Sequence, residues 1–198
     1  MTYPQAARAL LRDTLLDAVA EQLTDRAFGE ITMAGVAAGA GVSRQTLYNE
    51  FGSRPALAQA YVMREVSRFL DGVERAVLAH ADDPHAAVTA AFGVFLTTAA
   101  DHPLLKSLIT KDGNAELTAL ITTGGEPVLH TATAFLTDLI VRTWPHVDPD
   151  AARLLSEAVT RLAISHAILP SAAPELTATA VERLLSPFIT AETGLPPR

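Results

Sequence analysis

ITMAGVAAGAGVSRQTLYNEFGSRP, residues 31–55, is the stretch whose reading decides the fold. Thr32 can cap a short helix over about 33–39, with Met33, Val36 and Ala37 facing inward. Gly39-Ala40-Gly41 supplies a reversal, and Gly41 is the natural residue for a positive φ. Val42 can plug the interior, and Ser43 caps a second short helix over about 44–50. On that helix Leu47 and Phe51 share one face, while Arg44, Gln45, Thr46, Tyr48 and Asn49 occupy the others. This is the layout of a helix-turn-helix. Gly35 sits inside the first helix at a cost of about 1 kcal/mol against alanine; it marks either a close backbone approach or a tolerated loss.

The polar face suits DNA. Arginine pairs with guanine N7/O6, glutamine with adenine, and a threonine methyl meets a thymine methyl. Tyr48 is better placed to position the helix through a phosphate. Helix N-termini bind anions, which brings in the hydroxyls of Thr32 and Ser43. Arg54, at the start of the next helix, should reach phosphate as a planar fork. The candidate DNA contacts are therefore Thr32, Ser43, Arg44, Gln45, Thr46, Tyr48, Asn49 and Arg54. Any one of these alone would read as ordinary solvated surface. Their alignment with caps, turn glycine and buried face carries the inference.

The chain has 198 residues, is 49% hydrophobic and carries a net charge of −7. An acidic total looks wrong for a DNA binder until it is divided. Residues 31–64 carry Arg44, Arg54 and Arg64 against Glu50, a charge of +2, so the remainder carries −9. With no cysteine, disulfides and thiolate metal sites are excluded. No apolar run approaches the roughly 20 residues that span a bilayer, and Met1 is not followed by a signal-peptide pattern. A soluble, cytoplasmic protein is expected.

Upstream, residues 5–24 read as an amphipathic helix through Leu11, Leu15, Ala18, Val19 and Leu23. Arg8 and Arg12 on it are either solvated or within reach of phosphate. Downstream, Ser53 and Pro55 open a rod running to about residue 78, roughly 35 Å long. Further helices are predicted over about 84–100, from His102-Pro103 towards Ile109, over 115–123 capped by Asn114, from Pro127 to Trp144, over 149–169, and over 174–191. Nothing alternates with period two, so no sheet is expected. The fold class is all-α: a three-helix helix-turn-helix head over 1–52, joined by a long helix to a helical body over 53–198, about nine helices in all.

The run from Phe28 to Leu57 resembles the DNA-binding head of the tetracycline-repressor (TetR) family. The matching pieces are Thr32, Ala37, Ala40-Gly41-Val42-Ser43, Leu47-Tyr48, Phe51, Gly52-Ser53-Arg54 and Leu57. Asn49-Glu50 departs from the aromatic or basic pair common there, which puts phosphate contact near the helix end in doubt. Arg54 replaces the commoner lysine. The resemblance implies a homodimer through the last two long helices, with Leu155, Ala158, Val159 and Leu162 on one, and Leu176, Val181, Leu184, Leu185 and Phe188 on the other. It also implies an effector pocket among the middle helices. Candidate lining residues are Phe92, Phe95, Leu96, Leu105, Leu108, Phe135, Leu139 and Trp144, with His102, Asn114, His130 and His166 as polar spots. Few charges between 86 and 110 point to a hydrophobic or amphipathic small molecule.

An enzyme is the first rival. No Gly-rich phosphate loop, G-x-S-x-G or HExxH pair occurs, and His80 and His85 beside Asp82-Asp83 lack regular metal-ligand spacing. Neither catalysis, a metal nor a cofactor is expected. The second rival is an interaction module that kept the head's fold and lost DNA binding. The reading adopted is a ligand-responsive transcriptional regulator, a repressor released from double-stranded operator DNA by its effector.

Overall fold

Most helices begin where the sequence supplies an oxygen or a proline to start them. In the computed structural model, which describes residues 2–109 and 125–195 (107–109 by backbone alone), the elements are nine α-helices and one 3-10 turn, Phe28–Glu30. They are α1 (Tyr3–Asp25), α2 (Met33–Gly39), α3 (Arg44–Phe51), α4 (Arg54–Leu78), α5 (Pro84–Asp101), α6 (Pro103–Ile109), α7 (Glu126–Thr143), α8 (Pro149–Ile168) and α9 (Pro174–Thr193). No strand occurs among the described residues. The predicted helix over 115–123 and its cap Asn114 lie outside them.

Thr32 Oγ1 accepts from the Gly35 N–H at 3.0 Å, Ser43 Oγ from Thr46 at 3.0 Å and Ser53 from Ala56 at 3.3 Å. Asp83 accepts from His85 and Ala86, and Asp148 from Asp150 and Ala151. Each of these bonds satisfies an N–H that has no partner within the helix. Gly41 adopts φ +68° and Gly52 +74°, ending α2 and α3 in turns that a Cβ would strain. At Gly35 a Cβ would sit 2.9 Å from Gln22 Oε1 of α1, the tip of a side chain that can swing aside, so the α1 backbone does not itself demand glycine there.

The head core gathers Leu15, Val19 and Leu23 of α1, Phe28, Val36 of α2, and Leu47 and Phe51 of α3. It continues without a break into Leu57, Ala58, Tyr61 and Val62 of α4, and reaches Leu104 of α6 and Val128 of α7. The rod is thus not a free arm: its first turns complete the head. In the body, α5 packs most extensively on α4 and α9, and α7 on α8. α9 runs through Pro187, whose ring is exposed, so the missing hydrogen bond falls on the solvent side. No helix of the described residues is long and apolar enough to cross a membrane.

Candidate nucleic-acid interface and interior cavity

Leu47 is fully buried and Phe51 nearly so, which turns the opposite side of α3 outward. Ser43, Arg44, Gln45, Tyr48 and Asn49 are exposed and Thr46 is half-buried. Gln45 Nε2 donates to Asn49 Oδ1 at 2.8 Å, fixing both amides in one orientation one turn apart. Arg44 makes no ion pair among the described residues. With Thr32, Tyr48 and Arg54 it borders a shallow depression between the start of α2 and α3. Seven of the eight candidate contacts therefore lie along one surface with polar groups to offer.

Arg54 is the exception. Its guanidinium donates to the carbonyls of Phe28 (2.8 Å) and Ile31 (3.3 Å) and lies 4.9 Å from the centre of the Phe28 ring. Sequence placed this group on phosphate; the structure gives it backbone acceptors instead, so it pins the 3-10 turn to the start of α4. Backbone carbonyls as acceptors leave no sequence signal for that role.

Glu50 also changes meaning. Its side chain is only 8% exposed and accepts from Arg12 at 2.7 Å and Arg8 at 2.9 Å. Arg12 further stacks 4.7 Å over Phe51. Burial pushes the carboxyl up, but hydrogen bonds from Arg12 and Arg8 outweigh it and hold it below the usual range. Glu50 is a clamp between α1 and α3, with its charge matched internally, rather than a bare anion facing DNA. Arg8 and Arg12, read as solvated or phosphate-seeking, serve this clamp.

A second carboxylate sits where head meets body. Glu65 of α4 is 3% exposed. Arg64 Nε and Arg68 donate to Oε1 at 3.1 and 3.2 Å, and His102 Nε2 lies 3.1 Å from Oε2. The Leu104 N–H points at His102 Nδ1, so Nε2 carries the proton and donates to Glu65. Burial raises the Glu65 carboxyl, and the His102 hydrogen bond with the Arg68 and Arg64 charges overcomes that and lowers it. Arg64 reaches on to Asp17 at 2.8 Å and to the Leu16 carbonyl at 2.9 Å, both on α1. Beside it the Tyr61 phenol is pushed up, first by burial and then by the Glu65 charge. One cluster thus joins α1, α4 and the start of α6.

Above this cluster His102 meets Phe69 with the rings tilted by 58° (centroids 5.0 Å apart), and Phe69 meets Phe95 edge-on at 5.4 Å. Both phenylalanines line a cavity of about 160 Å³ bordered by α4, α5, α7, α8 and α9. Of the predicted lining residues, Phe92, Phe95, Leu139 and Trp144 face it. Leu96 instead packs with Ala178 and Val181, and Phe135 against the cluster around Leu139. Leu105 is buried away from the cavity, His166 is half-buried off its wall, and His130 is exposed. His102 is engaged by Glu65, as its position at the α5–α6 junction dictates. The side chain of Leu108 lies outside the described residues.

The wall that sequence reading missed is α4 itself: Val66, Phe69, Leu70, Val73 and Val77. Their helical spacing was visible as an apolar stripe. Spacing does not distinguish a residue that meets a neighbour from one that meets a void.

Several residues expected at a dimer interface also turn inward. Leu155, Val159 and Phe188 line the cavity, and Val181 is buried in the core with Phe92 and Leu96. Leu162 and Leu185 pack onto that same core, with Ala158 half-buried. Leu176 and Leu184 are each 67% exposed, joined by Leu154 and Leu169. Inward and outward apolar positions on an amphipathic helix are both hydrophobic here, and that removed the contrast needed to separate them.

His85, one of the pair once weighed as a metal site, is buried. It bonds Glu182 at 2.7 Å and the Leu195 carbonyl at 3.0 Å, tying α5 to α9. Among the described residues no group of three or more His, Asp or Glu could hold a metal.

Comparison with known proteins agrees with this architecture. The family model for bacterial regulatory proteins, tetR family, matches residues 15–61, and that for the bacterial tetracyclin repressor C-terminal domain matches 83–187. The HTH-type transcriptional regulator AlkX of Mycobacterium tuberculosis is 39% identical, over 94% of this chain and 88% of the relative. The crystal structure of the TetR family repressor AlkX from Dietzia, implicated in biodegradation of n-alkanes, superposes with a TM-score of 0.82. It is 30% identical and covers 92% of this chain and 96% of its own. The FadR repressor of Thermus thermophilus, solved with lauroyl-CoA, shares the fold at a TM-score of 0.58 and 20% identity, over 88% and 92% of the two chains.

Proposed function

Because this chain belongs to the tetR family of bacterial regulatory proteins, and is a transcriptional regulator rather than an enzyme, we propose that it is a repressor that an apolar or amphipathic small molecule releases from its operator. The reading rests above all on one observation: α3 presents Arg44, Gln45, Tyr48 and Asn49 outward over a buried Leu47 and Phe51. Residues 1–52 would read DNA and 53–198 would bind effector and dimerise, with α4 belonging to both.

Two copies are needed because one short helix reads few bases, whereas a twofold pair reads half-sites about one DNA turn apart. The outward Leu154, Leu169, Leu176 and Leu184 supply the apolar surface for such pairing. Burying each would contribute on the order of 1.5–3 kcal/mol before association costs. The chain would act in the cytoplasm, where its DNA is.

The geometry also supplies a route for release. An occupant of the cavity presses on Phe69 and Phe95, and Phe69 carries His102, which holds Glu65. Shifting that ring loosens Glu65, Arg64 and the hold on α1, so the head moves relative to the body. Half-sites are spaced by the DNA, so a small change in head separation breaks simultaneous contact. A ligand achieves this only by binding the released state more tightly than the DNA-competent one.

The test is a gel shift on the chain's own upstream DNA and on fragments selected from the genome. Sequence-selective, salt-sensitive binding that Arg44→Ala weakens is expected. Binding without sequence preference, or none, would favour a head that has lost DNA recognition.

A further inference from the structure

The cavity narrows its occupant further than "apolar", an inference that rests on the effector reading above. Its wall follows α4 from Val66 to Val77, roughly 16 Å of helix at about 1.5 Å per residue. The space it lines, about 160 Å³, extends along that stretch of helix. Aliphatic and aromatic carbon makes up almost all of its surface. No lysine, arginine or histidine is among the described residues that line it. Of its hydroxyls, Thr160 and Thr193 already donate to their own helix, to the Ser156 and Ile189 carbonyls at 2.7 Å each. Among the described residues the one ionisable group on the lining is Glu192, half-buried in the last turn of α9 and without an ion pair there.

We propose that this channel is a site for a linear, uncharged hydrocarbon chain, and that Glu192 sets its selectivity against carboxylate- and phosphate-headed molecules of the same length. A chain of methylenes loses nothing on entering, since the wall asks for no hydrogen bond and the removal of apolar surface from water drives binding. An anionic head brought to the wall sheds hydration and finds no cation among the described lining residues to replace it. Glu192 adds like-charge repulsion in surroundings that screen poorly.

Trp144 is the chain's single tryptophan and lines the channel, so its emission reports occupancy. The full chain is titrated with octane, 1-octanol and octanoate at about pH 8, where the acid is ionised. Octane and octanol should bind at least about tenfold tighter than octanoate, and Glu192→Gln should narrow that gap by tightening octanoate alone. Octanoate binding as tightly as octane, or a gap unchanged in Glu192→Gln, would overturn the proposal. No emission response to any of the three, from protein that still binds DNA selectively, would overturn the hydrocarbon-effector reading itself.

Discussion

The head and the body use the same material, amphipathic helices rich in alanine and leucine, and arrive at opposite interiors. In the head, Leu15, Val19, Val36 and Leu47 are fully buried and meet one another. In the body, Leu139 is just as buried, yet it faces a void shared with Phe92 and Trp144. The lesson is that burial alone does not tell structure from site. A filled interior holds α3 in one pose over Leu47 and Phe51; an unfilled one leaves binding capacity that a ligand can use. Glu65 sits on the border between the two regions, its carboxylate held by Arg64, Arg68 and His102, which is where the proposed coupling would have to pass.

The largest expected effect lies on that border. Glu65→Ala leaves Arg64 and His102 without their acceptor, and should cost about 3–5 kcal/mol in urea unfolding. Glu65→Gln keeps the shape and should cost less, while weakening the effect of ligand on DNA binding. A Glu65→Ala protein as stable as the parent would remove the border from the account.

Next comes the contrast of interiors. Leu47→Ala opens a new void in the head and should cost about 3 kcal/mol. Leu139→Ala only widens an existing one, so the loss should approach the transfer term alone, about 2 kcal/mol. Equal losses would break the distinction between filled and unfilled cores.

A smaller effect follows from pH. Glu65 and Glu50 both have carboxyls lowered in the folded state. Their contribution is therefore full above the unfolded value of about 4.3 and is lost as pH falls through the lower folded values. Unfolding followed from about pH 6 downward should show stability falling only below that point, and more shallowly in Glu50→Gln. Arg8 is 65% exposed, so its share of the Glu50 clamp is screened and amounts to under about 1 kcal/mol. Stability that rises on acidification through this window would contradict the assignment.

Smallest in stability, though not in function, are changes on the outer face of α3. Gln45→Ala should stay within about 0.5 kcal/mol of the parent in unfolding while relaxing preference at particular base pairs. Tyr48→Ala should weaken all sites alike. Identical behaviour of the two variants across a panel of operators would remove the base-reading role from Gln45.

Much of the fold was legible because its signals are local. Thr32 and Ser43 cap the helices they were expected to cap, Ser53 opens the rod, and Gly41 takes the positive φ the turn required. The outward face of α3 followed from Leu47 and Phe51 pointing in. What was not legible depends on partners distant in sequence. Glu50 looked like a defect because Arg8 and Arg12 come 42 and 38 residues earlier. Arg54 looked like a phosphate ligand because its acceptors are carbonyls, which carry no residue identity. His102 belonged to Glu65, 37 residues away, rather than to the pocket. The cavity wall on α4 was hidden for the same reason: an absence of neighbours leaves no trace in periodicity.

Filling the body's void should move the head off DNA. The most direct measurement is the affinity of the full chain for a selected operator duplex, by fluorescence anisotropy at fixed salt, with and without saturating octane. At least about a tenfold loss of affinity is expected on adding octane, with a much smaller loss in Glu65→Gln. Unchanged operator affinity in the parent protein, with Trp144 emission showing the channel occupied, would contradict it.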